Sequence, residues 1–240
     1  MAPHPPRLHV TRRSSPLAQP FVISRGSKTT ADVVVAELHD GDSNGRGEGV
    51  PYPRYGESVD SVFEALEKMK GAVFSGLNRE TLQAAMPPGA ARNALDAAFW
   101  DIEAKRAYCS VAALAGIGTL KPVTTAYTLS LDTPEQMGAA AAAQRARPLL
   151  KLKLTGDGDL DRVRAVRENA PASRLIVDAN EGWTPRHFAE LAPALAELGV
   201  ELIEQPLPAD DDDALAERPH PIPVCADESC RTAADLDRLA

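Results

Sequence analysis

Two lysines alternate with three leucines in Leu150-Lys151-Leu152-Lys153-Leu154. Side chains of a strand point to alternate faces, so a strand here sets both ammonium groups on one face and the leucines on the other. Like charges side by side are costly, and a chain that places them so has a use for the pair. The carboxylates that follow indicate what use. Asp178 closes the run Leu175-Ile176-Val177, Glu204 closes Glu201-Leu202-Ile203, and Asp227 follows Val224-Cys225-Ala226. They recur about every 25 residues, close to one βα unit of a barrel. Alternation puts Ile176 with Asp178, Leu202 with Glu204, and Cys225 with Asp227 on common faces.

Three carboxylates from adjacent strands repel one another unless a cation joins them. Oxygen-only ligation with open positions suits Mg²⁺, with Mn²⁺ as a substitute. A lysine beside another ammonium has a depressed pKa, so its neutral form can take a proton. A metal can hold a substrate carboxylate and stabilise the enolate left when the α-proton departs. Any one Asp after a strand is as readily a helix cap or turn residue, and Lys151 and Lys153 would also suit an exposed edge strand. The conjunction outweighs these readings: four successive strand ends carry Lys-x-Lys, Asp, Glu and Asp.

The elements that position these residues form two stretches. In the first, Leu8 to Arg12 and Phe21 to Ser24 read as strands joined by a polar, proline-containing turn. Asp32 to Leu38 is a β-branched strand, and Asp40 to Gly49, rich in Gly, Asp and Asn, reads as a turn. Val59 to Val73 has helical spacing with Ser58 as N-cap; Pro87-Pro88-Gly89 breaks the chain, and Ala90 to Lys105 is a second helix. This is α+β grammar up to about residue 115.

From residue 122 strands and helices alternate. Strands are expected at Thr124 to Leu131, Leu149 to Leu154, Leu175 to Val177, Val200 to Ile203 and Ile222 to Ala226. Helices are expected at Pro134 to Arg147, Leu160 to Asn169 and Pro185 to Leu198, with a short acidic one near Asp211 to Glu217 and another beginning at Thr232. Five β-then-α units imply a parallel sheet with right-handed crossovers, either doubly wound or a (β/α)8 barrel. No Gly-x-Gly-x-x-Gly follows a strand, which argues against a dinucleotide.

Composition sets outer bounds. The 240 residues are 44% hydrophobic and 25% charged, with a net charge of -8. That is ordinary for a soluble globular protein and disfavours nucleic acid or an anionic membrane as partner. No apolar run is long enough to span a bilayer, and Met1 to Pro6 has no apolar core for a secretory signal. Cys109, Cys225 and Cys230 are odd in number and lack metal-site spacing, as reduced thiols of a cytoplasmic protein would.

The order Lys151-x-Lys153, Asp178-Ala-Asn180, Glu204-Gln-Pro206 and Asp227-Glu228-Ser229 resembles the enolase superfamily, in its muconate-lactonising-enzyme-like group. The helix Ala94 to Lys105 also looks like that family's capping helix. The resemblance implies an α+β capping domain (residues 1–115) and a modified (β/α)8 barrel (from 122 to 240). It implies Mg²⁺ on Asp178, Glu204 and Asp227, Lys153 as acid/base and Lys151 as its electrostatic neighbour.

Ile23 to Thr29, Val50 to Glu57 and Thr125 to Thr133 look like the L-Ala-D/L-Glu dipeptide epimerases of that superfamily. By that likeness Arg25, on a mobile capping loop, binds a substrate side-chain carboxylate, and Thr128 is a second substrate-binding residue. The implied partner is a small dipeptide, and family members often form homo-oligomers. A lyase or cycloisomerase, as in o-succinylbenzoate synthase or muconate cycloisomerase, would share the metal set, and a non-catalytic metal-binding fragment is the reading from another class.

Only five of eight barrel units are visible. The second catalytic lysine and the aspartate-rich motif that the family places further on are absent from the sequence. The expectation is therefore a truncated form of a longer protein, with the sheet incomplete.

Overall fold

The computed structural model describes residues 5–239. Most of the Met1 to Pro6 segment and the final residue of the last expected helix lie outside them. The chain forms two compact units. One comprises the residues up to Pro16 with Thr30–Lys121, the other Leu17–Thr29 with everything from Pro122 onward.

In the first unit lies most of a three-stranded sheet in the order β1 (Arg7–Ile23), β2 (Gly26–His39), β3 (Asn44–Gly49). Two expectations change here. The two short strands and intervening turn are one 17-residue strand, β1, because Pro16 and Pro20 are compatible with an edge strand. The Gly-rich stretch is not all turn: β3 pairs antiparallel with β2 from His39↔Asn44 to Val34↔Gly49.

Among the described residues this unit also holds the α-helices α1 (Val59–Lys68), α2 (Lys70–Phe74), α3 (Arg79–Ala85), α4 (Ala90–Arg106) and α5 (Val111–Leu114). Ser58 caps α1 as expected, in a reciprocal pair with Ser61. The expected helix from Val59 to Val73 is broken at Met69. The glycines of β3 explain its composition. A β-carbon at Gly45, Gly47 or Gly49 would come within 2.2, 2.1 and 2.2 Å of the carbonyl oxygens of Ala98, Ala94 and Ala90. Glycine on one face of the strand and alanine at every fourth helix position let α4 lie directly on the sheet. Val34, Ala36 and Leu38 of β2 bury with Leu66, Leu82, Leu95 and Ile102 in this unit's core.

The second unit is a five-stranded sheet, β4 (Tyr127–Leu129), β5 (Leu149–Lys153), β6 (Arg174–Asp178), β7 (Val200–Glu204) and β8 (Val224–Cys225), every neighbouring pair parallel. Spatial order equals chain order. A doubly wound sheet reverses order at a switch point; this one does not, which decides between the two expected architectures in favour of the α/β-barrel type. The crossovers are α6 (Pro134–Ala143), α7 (Asp159–Asn169) and α8 (Pro185–Glu197), with a 3₁₀ turn at Asp212–Leu215 before β8 and α9 (Leu236–Leu239) last.

Leu150, Leu152 and Leu154 are fully buried with Val163, Val166, Leu175, Val177, Phe188 and Ile203 between sheet and helices. The expected strands at either end are shorter than their apolar runs: β4 holds three residues and β8 two. Pro20 and Val22, near the end of β1, accept bonds from Ser130 Oγ and Leu131 N just past β4.

Candidate active site

The lysines lie on one face of β5, opposite the buried leucines. In the sheet, Lys153, Asp178, Glu204 and Cys225 are register partners in one row, and Thr128, Lys151 and Ile176 in the next. Register partners in a sheet project to the same side, so the row brings the charged residues together. One irregularity makes this possible. Leu175 pairs with Val200 but Val177 pairs with Ile203, so β7 carries one extra residue. Strict alternation from Val200 would turn Glu204 toward the helices. The bulge restores Ile203 to the core and Glu204 to the row of Asp178.

Lys153 is buried, and its Nζ donates to Asp178 Oδ2 at 2.6 Å and to Asn180 Oδ1 at 2.8 Å. Lys151 Nζ reaches the same Asp178 oxygen at 2.8 Å and Glu204 Oε2 at 2.7 Å. For Lys151, burial and the neighbouring carboxylates act in opposite directions. Burial pulls its pKa down, but the hydrogen bonds and charges of Asp178 and Glu204 outweigh burial and raise it.

For the Asp178 carboxyl, burial works upward and the two lysines outweigh it, leaving it below the usual range. Burial holds Glu204 above its ordinary value, aided against Lys151 by the charges of Asp178 and Asp227. Asp227 is likewise raised by burial and by Glu228 and Asp178. Among the described residues no group of three or more Cys, His, Asp or Glu stands as a ready-made metal cluster; Lys151 bridges two of the three expected ligands.

Arg25, at the turn between β1 and β2, pairs with Glu181 at 2.9 Å and Glu228 at 2.6 Å and donates to the Asn180 carbonyl at 2.6 Å. A substrate carboxylate at this guanidinium would therefore compete with two resident carboxylates. Thr128 is half-buried beside Lys151 in register.

Four residues outside the expected set hold the site together. Asn180 accepts from Lys153 and donates to Glu228 Oε1 at 3.2 Å. Its signal was available: it shares the alternation of Asp178. Buried Glu228 follows Asp227 directly, and its Oε2 has no hydrogen-bond partner among the described residues. Gln205 links the ends of β7 and β8. Asp159 is fully buried and accepts from Thr155 N, Gly156 N and Trp183 Nε1, the last at 2.8 Å. It fastens the loop after Lys153 to the loop after Asn180. Burial raises its pKa against those bonds. Neither Asp159 nor Gln205 falls at a position that alternation singles out.

The backbone is strained at the same strand ends. Asn180, Glu181 and Gln205 adopt φ of 45°, 65° and 35°, a region that residues with a β-carbon enter where surrounding contacts impose it.

Residues 7–116 match the Mandelate racemase / muconate lactonizing enzyme N-terminal domain, and residues 135–240 match the Enolase C-terminal domain-like family. The L-Ala-D/L-Glu epimerase of Escherichia coli (strain K12) is 48% identical over 226 residues, covering 93% of this chain and 70% of that protein. The chain belongs to the dipeptide epimerases of the enolase superfamily. This is a family of isomerases. A solved enolase family member from Agrobacterium tumefaciens, described as having homology to dipeptide epimerases and holding sodium and L-Ala-L-Glu, superposes with a TM-score of 0.94 at 47% identity. That match covers 98% of this chain and 72% of that one. A dipeptide epimerase from Enterococcus faecalis V583, complexed with Mg and L-Leu-L-Tyr, gives a TM-score of 0.88 at 30% identity, covering 97% and 70%. The chain thus spans about 70% of the length of these dipeptide epimerases. No helix among the described residues is long and apolar enough to cross a membrane.

Proposed function

We propose that this protein is a Mg²⁺-dependent epimerase acting at the α-carbon of the C-terminal residue of an L-Ala-D/L-Glu-type dipeptide. The observation that carries the reading is the row Lys153, Asp178, Glu204 with Lys151 beside it, at the carboxyl ends of adjacent parallel strands. Active sites of barrel folds lie at that edge. The dipeptides of these relatives and the Mg of the Enterococcus faecalis structure support the substrate class and the metal.

The chemistry of the donor set suits a hard divalent cation. Asp178, Glu204 and Asp227 offer only oxygen and stand at or just past the carboxyl ends of three adjacent parallel strands. They are the proposed ligands. A cation bound there supplies charge to hold a substrate carboxylate and stabilise an enolate.

The chain's own groups do the rest. Lys153 takes the α-proton from one face of the α-carbon, and inversion further needs a proton delivered to the opposite face by another group. Asp178 Oδ2 and Asn180 Oδ1 fix the Lys153 Nζ in a pocket away from bulk water. Lys151 presents a second positive charge to the substrate carboxylate. Arg25 and Thr128 are the proposed contacts to the rest of the dipeptide, Arg25 favouring an acidic side chain. The proposed division is a capping domain over residues 1–115 and a catalytic domain over 122–240.

The substrate is tested by incubating the protein in D₂O with Mg²⁺ and L-Ala-L-Glu, L-Ala-D-Glu or L-Leu-L-Tyr. Deuterium at the C-terminal α-carbon of a glutamyl dipeptide, and none with EDTA, is expected. Preferential exchange into L-Leu-L-Tyr would overturn the acidic-substrate reading.

A further inference from the structure

Asp227 differs from the other two proposed ligands. Asp178 and Glu204 sit within strands, whose ladders fix their backbones. The β7–β8 ladder ends at Glu204↔Cys225, two residues short of Asp227. Among the described residues nothing bonds the Asp227 carboxylate, and the residue, though partly covered, remains open to solvent. Its position is set by its backbone, and something other than the sheet must set that backbone.

Alongside the turn bond from Cys230 N to Asp227 O, that role falls to the side chain of Gln205. It is 2% exposed. Its Oε1 accepts from Asp227 N at 2.9 Å and Ser229 N at 3.0 Å, and its Nε2 donates to Ser229 Oγ at 2.7 Å and Leu207 O at 2.9 Å. A primary amide has two donors and two acceptor sites, so every one is used. Its backbone N donates to Cys225 O, and its carbonyl accepts from Glu181 N. The residue holds a φ of 35°, which it keeps because both its backbone and its side chain are tied. No other side-chain type supplies the same set: a carboxylate lacks the two donors, and asparagine is one carbon short.

We infer that Gln205 is a positioning residue that sets the Asp227 segment in place before a cation arrives. The inference rests on the metal reading proposed above. Its physical content is preorganisation. A ligand already held loses less freedom on binding, so affinity is greater than for the same carboxylate on a loose segment.

Two measurements on the whole chain test it. Hydrogen exchange of the peptide covering residues 226–230 is followed in the Mg²⁺-free protein. Protection of the Asp227 and Ser229 amides without metal is expected. Free exchange that becomes protected only when Mg²⁺ is added would overturn the inference. Mg²⁺ is then titrated calorimetrically into the parent and into Gln205→Met, which keeps the volume and removes all four bonds. The dissociation constant is expected to rise tenfold or more, with exchange at 226–230 accelerated and exchange in β5 and β6 unchanged. An unchanged constant with a lowered melting temperature would reduce Gln205 to a structural residue. If the parent itself binds no Mg²⁺, the metal reading falls, and this one with it. If parent and variant bind equally, this inference alone falls. Should the variant fail to fold, the exchange pattern of the parent decides.

Discussion

Lys151 and Lys153 donate to the same oxygen, Oδ2 of Asp178, at 2.8 and 2.6 Å. Two ammonium groups that would repel on a bare strand are held by one buried carboxylate, with Glu204 taking a second bond from Lys151. Asp178→Asn removes that charge and leaves two buried or half-buried cations with one formal partner. Breaking a buried charge network by removing one member typically costs about 3–5 kcal/mol. Urea unfolding is expected to show a loss of that order, and calorimetry no Mg²⁺ binding.

Arg25 is expected to discriminate substrates by charge. In Arg25→Ala, kcat/KM for L-Ala-L-Glu should fall by roughly 100-fold, the order of a lost charged hydrogen-bond pair. The value for L-Ala-L-Gln should change by less than roughly tenfold. Equal losses for both dipeptides would instead mean that Arg25 acts through Glu181 and Glu228.

Gly47 carries the contact between β3 and α4. A β-carbon there meets the Ala94 carbonyl oxygen at 2.1 Å, a backbone atom that cannot rotate away. Gly47→Ala must separate strand and helix, at a cost of about 3 kcal/mol or more. Gly71 in α2 has nothing within 4 Å of its added β-carbon. Gly71→Ala is expected to stabilise by roughly 0.5–1 kcal/mol. Thermal unfolding of both variants checks the pair.

Asp40 gives the first unit an acid limit. Burial alone would raise its carboxyl; the Ser43 amide and the Arg106 guanidinium outweigh burial and hold it below the usual range. A depressed acid pKa contributes stability that is fully present above the ordinary carboxylate value and is lost as pH falls through the depressed one. Urea midpoints measured downward from neutral pH should therefore fall less steeply in Asp40→Asn, in the acid range only.

Much of this molecule is legible in the residues themselves. The alternation of Lys151 and Lys153 with leucines, and a charged residue ending each of four strands, indicated a parallel βα sheet with charged groups along its edge; the choice of barrel type over doubly wound sheet needed the strand order. Gly45, Gly47 and Gly49 were misleading because glycine usually marks a turn; here its missing side chain serves a close helix contact that no local pattern reveals. The bulge in β7 was equally hidden, since an extra residue leaves no compositional trace. Gln205 and Asp159 act through bonds to other loops, and such long-range pairing is not encoded in the spacing around either residue. The closeness of the β6 and β7 carboxylates to Lys151 was also beyond what alternation alone could tell.

The central claim is that Lys153 moves the substrate's α-proton. The most direct measurement is deuterium incorporation from D₂O into L-Ala-L-Glu and L-Ala-D-Glu by the parent and by Lys153→Ala, with Mg²⁺ binding and folding verified for both. The parent should exchange the C-terminal α-proton, and the variant should lose exchange from one epimer by at least about 100-fold. Exchange from both epimers at the parental rate in Lys153→Ala would contradict the account.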